Sequence, residues 1–256
     1  MPGMFDRLRG ARAEAVAPAY PPGKRMYCVG DIHGRADLLA DLHGQIQRDA
    51  ASYEGQRQVL YLGDYIDRGE QSRQVLDLLI EQPLAGFEHF HLLGNHERAV
   101  LDFLVDPIAM SGWLEWGGRA TLRSYGIHVG PMPSREELLT VRDRFDEELP
   151  GTHRDFLEQG LPAHAEGSYY FVHAGVRPGV LLDKQELGDQ LWIRDEFTRS
   201  TANHGAIVVH GHTISEQAEL LPNRIGIDTG AFRSGVLTAL VLEGSHQRLL
   251  QTGDSE

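Results

Sequence analysis

The spacing of apolar positions changes at regular intervals along the first hundred residues, and these changes predict alternating strands and helices. Apolar side chains recur at helical spacing from Ala36 to Ala50 and again from Val75 to Ile80, where Pro83 ends the pattern. Three short apolar runs flank these helices, as is typical of buried strands, at 26–30, 58–62 and 87–93. Because strand–helix–strand units cross over with one handedness, we expect the three strands to be parallel neighbours in one sheet.

The pattern after residue 97 predicts helices first and strands later. Residues 98–165 are mostly helical in pattern and are interpreted as a helical insertion, in which Ser134 and Glu137 have capping-box spacing. Strands return at Tyr169–His173, Ala206–His210, Ile225–Asp228, Val236–Leu242 and Gln247–Leu250, the last two separated by a hairpin signal at residues 243–245. The order predicts an α/β fold in which two mixed β-sheets pack as a sandwich flanked by helices.

The first 25 residues carry neither pattern. They are rich in Ala, Pro, Arg and Gly and end in Pro21-Pro22-Gly23, which predicts an amino-terminal arm with at most a short helix. We therefore expect residues 26–256 to form a single domain, since a chain of this length can bury most of the surface it would expose when unfolded.

Composition and charge exclude several classes of function. With 37 acidic and 24 basic residues the net charge is −13, which argues against binding to nucleic acid because nucleic acid requires a basic face. No apolar run approaches the roughly 20 residues that span a membrane. The single cysteine, Cys28, excludes an internal disulfide and is typical of a reducing compartment, so we expect a cytoplasmic protein. The sequence leaves the oligomeric state open.

Side chains of the types that bind metal ions follow the predicted strands. The carboxyl ends of these strands should share one edge of a sheet. Asp64 follows Asp31 by 33 residues and Asn95 follows Asp64 by 31, each close to one helical crossover. The full set of candidate ligands is Asp31, His33, Asp64, Asn95, His173 and His212. Six ligands exceed the need of one ion, whereas two ions sharing the central Asp64 would account for them. Such a pair typically holds a bridging water or hydroxide and clamps both oxygens of an in-line displacement at phosphorus.

Taken alone, each of these short motifs is typical of a polar turn, but five of them in this order resemble a known family. GDIHG (30–34), GDYIDRG (63–69), GNHE (94–97), HAG (173–175) and GHT (211–213) resemble the phosphoprotein phosphatases, within the wider calcineurin-like metallophosphoesterases. The bacterial and phage members are the most similar, and the resemblance covers about residues 26–242.

The resemblance implies two divalent metal ions, with manganese expected and iron, zinc or nickel as alternatives. One ion would be held by Asp31, His33 and Asp64, and the other by Asp64, Asn95, His173 and His212. It further implies that His96 protonates the leaving oxygen, that Asp67 orients His96, and that Arg68 and Arg194 clamp the phosphate. A general acid suits an alkoxide leaving group, and the planar arginine fork suits bidentate contact with phosphate.

Other polar residues of the motifs are expected to support these groups. We expect His210 to be a neighbour of the ligands and Glu97 to hold its loop by hydrogen bonds. Trp113 and Trp116 are interpreted as packing residues. The chain departs from the family pattern at Trp116, where relatives often carry Asn before Gly117-Gly118, so the shape of one wall of the site stays open. Ile214 stands where many wider relatives carry a further histidine ligand.

The leading hypothesis from the sequence is a serine/threonine protein phosphatase that attacks a phosphoprotein or another phosphate ester with a metal-bridging hydroxide. The alternative is a hydrolase of dinucleoside polyphosphates such as diadenosine tetraphosphate, which shares fold and metals. Symmetrical hydrolases of that kind usually lack the aspartate matching Asp67, whereas asymmetrical ones that resemble this sequence keep it. A third hypothesis, a non-catalytic metal-binding scaffold for phosphorylated partners, is disfavoured by the intact Asp67, His96, Arg68 and Arg194.

Overall fold

The computed structural model describes residues 18–253, whose strands lie in two five-stranded sheets. In spatial order, the first sheet contains β10 (His246–Gln251), β9 (Thr238–Glu243), β1 (Lys24–Val29), β2 (Gln56–Tyr61) and β3 (Glu88–His91). The second sheet contains β4 (Ala163–Glu166), β5 (Tyr169–Val172), β6 (Ile207–His210), β8 (Arg224–Gly226) and β7 (Glu219–Leu220).

Both sheets are mixed. Strands β1, β2 and β3 are parallel neighbours, as predicted, while β9 pairs antiparallel with β1 and forms the predicted hairpin with β10. In the second sheet β5, β6 and β8 run parallel, and β4 and β7 are antiparallel edge strands. The predicted α/β fold with two mixed sheets is therefore confirmed.

The helices lie outside the sheets. They are α1 (Ala36–Ala50), α2 (Ser72–Glu81), α3 (Asn95–Val105), α4 (Gly118–Ser124), α5 (Arg135–Glu148), α6 (Gly151–Glu158), α7 (Leu187–Trp192), α8 (Asp195–Thr198) and α9 (Ala231–Ser234), with short 3-10 turns at Ser111–Trp116 and Leu182–Lys184. Helix α1 has the predicted bounds and buries Leu39, Leu42 and Ile46, which lie three and four positions apart. Among residues 18–253, none of these helices is long and apolar enough to cross a bilayer.

Alternation along the strands divides the core into layers. In β1, Tyr27 and Val29 pack with the helices, whereas Met26 and Cys28 face the second sheet, where Phe171 contributes to the same cluster. Each strand of the first sheet therefore buries one face under helices and the other against the second sheet. Helices α3 to α6 share the core of α1 and α2 through buried residues such as Phe103, Leu122, Leu138, Phe145 and Leu157.

The structure differs from the predicted boundaries at two places. Strand β1 begins at Lys24, inside the predicted arm, and Tyr20 is buried with its hydroxyl 2.7 Å from Oε2 of Glu166. The remainder of that arm, residues 1–17, lies outside the described residues. Strand β4 lies inside the predicted helical insertion. The sequence did not indicate this strand, because Ala-His-Ala-Glu contains no β-branched residue.

Candidate active site

The candidate site occupies the loops that follow the strands of both sheets at one end of the sandwich. In the described part of the chain, five residues other than glycine have positive φ angles, and all five are predicted site residues: His33 (45°), Asp64 (52°), Asp67 (73°), Arg68 (67°) and His212 (61°). Each such conformation costs about 1–3 kcal/mol and persists only where the surroundings fix it. The strain is therefore concentrated on the side chains that the motifs singled out.

The loops pack so closely that glycine is required where two of them meet. Gly63 has a φ of 98°, and a Cβ atom there would lie 2.6 Å from the backbone nitrogen of Gly94. The loop carrying Asp64 thereby touches the start of α3, which carries Asn95 and His96.

Asp64 is the centre of the site. Its Oδ2 lies 3.4 Å from Nε2 of His33, and its Oδ1 lies 3.4 Å from Nε2 of His173. Two groups of side chains have potential ligand atoms within 4.8 Å of one another, and Asp64 belongs to both: His33, Asp64 and His96, and Asp64, His173 and His212. Burial opposes the charge of Asp64, but the surrounding imidazoles, first that of His173, lower its pKa.

Hydrogen bonds fix the tautomers of two predicted histidine ligands. Nδ1 of His33 lies 2.8 Å from the carbonyl oxygen of Ile66, and Nδ1 of His173 lies 2.9 Å from that of Leu62. Since a carbonyl oxygen only accepts, Nδ1–H donates in both cases. Burial also lowers the pKa of both rings, so each is neutral and offers the lone pair of Nε2.

The remaining polar atoms fit divalent cations. Nε2 of His173 and Oδ1 of Asn95, both acceptors, face each other at 2.9 Å. Oδ1 of Asp31 and Nε2 of His212 are buried without a hydrogen-bond partner among the described residues. A buried acceptor without a donor is costly, whereas two bound cations would satisfy all four atoms. Mixed carboxylate, amide and imidazole ligands suit manganese, iron or zinc.

Asp228, which the sequence predicted only as the end of a strand, also lies at the candidate site. Its Oδ1 accepts from the backbone N–H of Gly230 at 2.9 Å, while its buried Oδ2 has no donor among the described residues. Burial and the charge of Asp64 raise its pKa to about 6, against the hydrogen bond from Gly230, which lowers it. The signal available in the sequence was its position, directly after a strand and before Gly230, like that of the predicted ligands.

His96 and Asp67 form the predicted imidazole–carboxylate pair, with Nδ1 of His96 2.6 Å from Oδ2 of Asp67. The same Oδ2 accepts from Nε1 of Trp113 at 2.7 Å, and Oδ1 accepts from the hydroxyl of Thr121 at 2.6 Å. Burial opposes the charged form of His96, but the carboxylates of Asp64 and Asp67 outweigh burial and raise its pKa. Trp113 packs against Phe103 as expected, yet its indole nitrogen also holds Asp67, a role the sequence did not reveal.

The two predicted phosphate-binding arginines contact different groups of potential metal ligands. Arg68 donates to Nε2 of His33 at 2.9 Å and to Nε2 of His96 at 3.1 Å, and its guanidinium carbon lies 5.0 Å from the ring centre of Phe232. In this arrangement Nε2 of His96 accepts, so protonation of that atom requires Arg68 to turn away. Arg194 donates to the carbonyl oxygen of His212 at 3.4 Å. Contacts therefore link all ten predicted site residues around one carboxylate.

The expected supporting residues have the predicted positions. Glu97 accepts hydrogen bonds of 2.7–3.0 Å from the backbone N–H groups of Asp64, Tyr65 and Gly94. Burial and the charge of Asp64 raise the pKa of Glu97 to about 8, against the effect of these donors. Nδ1 of His210 lies 3.0 Å from the carbonyl oxygen of Gly211, and His210 belongs to neither group of potential metal ligands.

Comparison with known proteins places this geometry in a family. A family profile described as calcineurin-like phosphoesterase matches residues 24–229. The asymmetrical bis(5'-nucleosyl)-tetraphosphatase PrpE of Anoxybacillus flavithermus is 26% identical over 238 residues, which cover 83% of this chain and 88% of that protein. The PrpE protein of Geobacillus thermodenitrificans is 25% identical over 236 residues, with the same shares covered.

Solved structures share the fold. One provisionally described as a diadenosine tetraphosphatase has a TM-score of 0.58 at 21% identity, covering 93% of this chain and 100% of that one. A cold-active protein-tyrosine phosphatase of a psychrophilic Shewanella species has a TM-score of 0.58 at 18% identity, covering 90% and 80%. The broader part of the predicted resemblance is confirmed, while the narrower one, to phosphoprotein phosphatases, is not. The chain belongs to the calcineurin-like phosphoesterase family.

Proposed function

We propose that the protein hydrolyses dinucleoside tetraphosphates asymmetrically, releasing a nucleoside triphosphate and a nucleoside monophosphate. This proposal replaces the protein phosphatase expected from the sequence with the alternative considered there. The observation that carries it is the similarity to the PrpE proteins along most of both chains, since those proteins are named for this reaction. Asp67 agrees with it, because the asymmetrical hydrolases that resemble this sequence keep that aspartate.

The residues around Asp64 have the properties that such hydrolysis requires. Two divalent ions, manganese being the expected one, would be held by Asp31, His33, Asp64, Asn95, His173 and His212, and would activate water and neutralise phosphate charge. Arg68 and Arg194, which contact different groups of the potential metal ligands, bind the non-bridging oxygens of the reacting phosphate. These local cations overcome the repulsion between a polyphosphate and a protein of net charge −13.

His96 donates a proton to the leaving group, and Asp67 stabilises His96 in its protonated form. When Arg68 turns toward the substrate, Nε2 of His96 is free to carry a proton and to donate it to the departing oxygen. Water adds to the phosphorus next to one nucleoside, the bond to the bridging oxygen breaks, and that oxygen leaves on the triphosphate. Asp67 stabilises the imidazolium and fixes its direction, because its carboxylate is itself held by Trp113 and Thr121.

A second activity, hydrolysis of phosphate monoesters, is favoured by the same pair of residues. A triphosphate is a weakly basic leaving group and needs less protonation than the alkoxide of a phosphoserine. The short contact of 2.6 Å between His96 and Asp67 therefore equips the site for poorer leaving groups as well.

Product analysis with two substrates tests the proposal. Manganese-loaded protein is incubated with diadenosine tetraphosphate, or with a phosphoserine peptide, and the products are separated by chromatography. We expect equal amounts of ATP and AMP, and a kcat/KM higher than that for the peptide. Formation of ADP alone would mean symmetrical cleavage, and hydrolysis of the peptide alone would restore the protein phosphatase hypothesis. The Asp64→Asn variant, which lacks the carboxylate common to both groups of potential metal ligands, is prepared in parallel and shows that the activity belongs to this protein.

A further inference from the structure

Trp116 and Trp192 form an exposed aromatic pair at the rim of the candidate site. Their ring centres are 5.6 Å apart with an angle of 68° between the planes, and the side chains are 43% and 42% exposed. At this angle the edge of one indole lies against a face of the other, and both side chains keep more than two-fifths of their surface exposed. Large aromatic side chains that remain exposed together mark interaction sites more often than isolated ones do.

Each tryptophan lies next to a chain segment that carries or contacts one of the two predicted phosphate-binding arginines, Arg68 and Arg194. Trp116 precedes Gly117, whose carbonyl oxygen accepts from the backbone N–H of Arg68 at 3.3 Å. Gly117 has a φ of 121°, and a Cβ atom there would lie 2.8 Å from Cγ of Arg68, so Trp116 is held at a fixed distance from that arginine.

The second tryptophan, Trp192, lies at the end of α7, two residues before Arg194. Its ring centre is 6.3 Å from that of His212, a predicted metal ligand, with the planes nearly perpendicular at 87°. The aromatic pair therefore bridges the segment of Arg68 and the segment of Arg194.

We propose that Trp116 and Trp192 bind a nucleobase of the substrate by stacking, an inference that rests on the proposed function. A ligand whose phosphates contact Arg68 and Arg194 extends its uncharged part away from these arginines, and Trp116 and Trp192 offer it two exposed aromatic rings. Every nucleobase has a π-face, and stacking on an aromatic side chain tolerates different bases. A neutral base is also not repelled by the negative charge of the protein.

The proposal gives Trp116 a physical role. The sequence placed it one residue before Gly117-Gly118, where similar proteins often carry Asn, without explaining the difference. Asn offers hydrogen bonds but no stacking surface, so the tryptophan adds affinity for the base and not for the phosphate. We therefore expect the pair to act on affinity for nucleoside-containing ligands.

Ligand binding with and without a base tests this role. Manganese-loaded protein is titrated with a non-hydrolysable methylene analogue of ATP and with the corresponding triphosphate analogue that lacks the nucleoside, and tryptophan fluorescence is followed. We expect saturable quenching with the ATP analogue alone. Binding of both ligands is then measured by calorimetry for Trp116→Leu and Trp192→Leu, which should each bind the ATP analogue about tenfold more weakly.

The controls separate stacking from loss of structure. Trp116→Phe keeps an aromatic ring and should recover part of the affinity that Trp116→Leu loses. Val105→Ala removes an apolar side chain that is 81% exposed at the far end of α3, about 15 Å along the helix from Asn95, and should bind both ligands like the wild type. Equal weakening of both ligands in the leucine variants, or no weakening, would overturn the proposal.

The outcomes also distinguish this inference from the proposed function. If the wild type does not cleave diadenosine tetraphosphate, the proposed function fails. If it cleaves that substrate and the leucine variants keep the KM of the wild type, only the role of the tryptophans fails. A tenfold loss of affinity for a phosphotyrosine peptide, with affinity for the ATP analogue unchanged, would assign the pair to an aromatic monoester instead.

Discussion

Asp67→Asn tests how the protein holds its candidate general acid. The substitution removes a fully buried charge but fits the existing contacts. The amide oxygen can take the place of Oδ2, which accepts from His96 and Trp113, while the amide nitrogen donates to the hydroxyl oxygen of Thr121. That hydroxyl can turn its proton to Ser72, whose oxygen lies 3.0 Å away. We therefore expect the variant to fold and to keep its metal content.

The size of the expected fall in kcat follows from the hydrogen bond between His96 and Asp67, whose acceptor loses its charge in the variant. A hydrogen bond to a charged group contributes about 1.5–3 kcal/mol, and about 1.36 kcal/mol corresponds to one pKa unit. The pKa of His96, which Asp64 and Asp67 raise, should therefore fall when Asp67 becomes neutral. At pH values above the pKa, the protonated fraction and kcat for an alkyl phosphate then fall by about 10- to 100-fold.

The assay compares leaving groups across pH. Steady-state kcat is measured from about pH 5 to about pH 9 for phosphoserine and for para-nitrophenyl phosphate. The loss should be large for phosphoserine and small for the nitrophenyl ester, whose leaving group needs little protonation. Glu70→Gln, on the same loop but at the surface beside Arg123, is the matched control and should behave like the wild type. An equal loss for both substrates, or an unchanged pH profile, would refute the reasoning.

Three other substitutions test different parts of the structure. Asp64→Asn removes the carboxylate shared by both groups of candidate ligands, so metal content after dialysis and hydrolysis should fall together; two retained ions per chain would contradict the shared position. Glu97→Gln turns an amide group toward backbone N–H donors and should lower the free energy of unfolding in urea by about 1–3 kcal/mol, whereas an unchanged midpoint would remove its loop-holding role. Burial lowers the pKa of His43 to about 4 from its ordinary value near 6.5, so the unfolded chain takes up the proton first as pH falls. Stability from this residue, complete above about pH 6.5, should decrease by about 3 kcal/mol by pH 4, and His43→Gln should show a correspondingly smaller acid destabilisation in urea unfolding.

The strands and the site loops could be predicted from the sequence because both leave local signals. Apolar runs and helical spacing mark β1, α1 and β2, and the polar motifs follow directly after strands, where the topology brings them to one edge. Strand β4 has no such signal, since its residues favour no strand by themselves and pair only because β5 lies beside them. The start of β1 at Lys24 likewise depends on a contact distant in sequence, the ion pair with Glu166.

The residues that were missed act through tertiary contacts. Trp113 reaches Asp67 across 46 positions, and an indole that packs in a core gives the same apolar signal whether or not its nitrogen finds a carboxylate. Asp228 joins the site only because β8 lies beside β6 and brings the chain that follows it near Asp31. The substrate could not be predicted from the motifs, because they describe the phosphate and metal chemistry that related enzymes share. Trp116 and Trp192 meet only in the folded protein.

The central claim is that Asp64 is shared by two divalent ions, which the six candidate ligands hold on the loops that follow the strands of both sheets. Anomalous diffraction from crystals grown with manganese measures this directly. We expect two peaks about 3.5–4 Å apart, with an oxygen of Asp64 in contact with both. A single peak at full occupancy, or two peaks of which one does not touch Asp64, would contradict it.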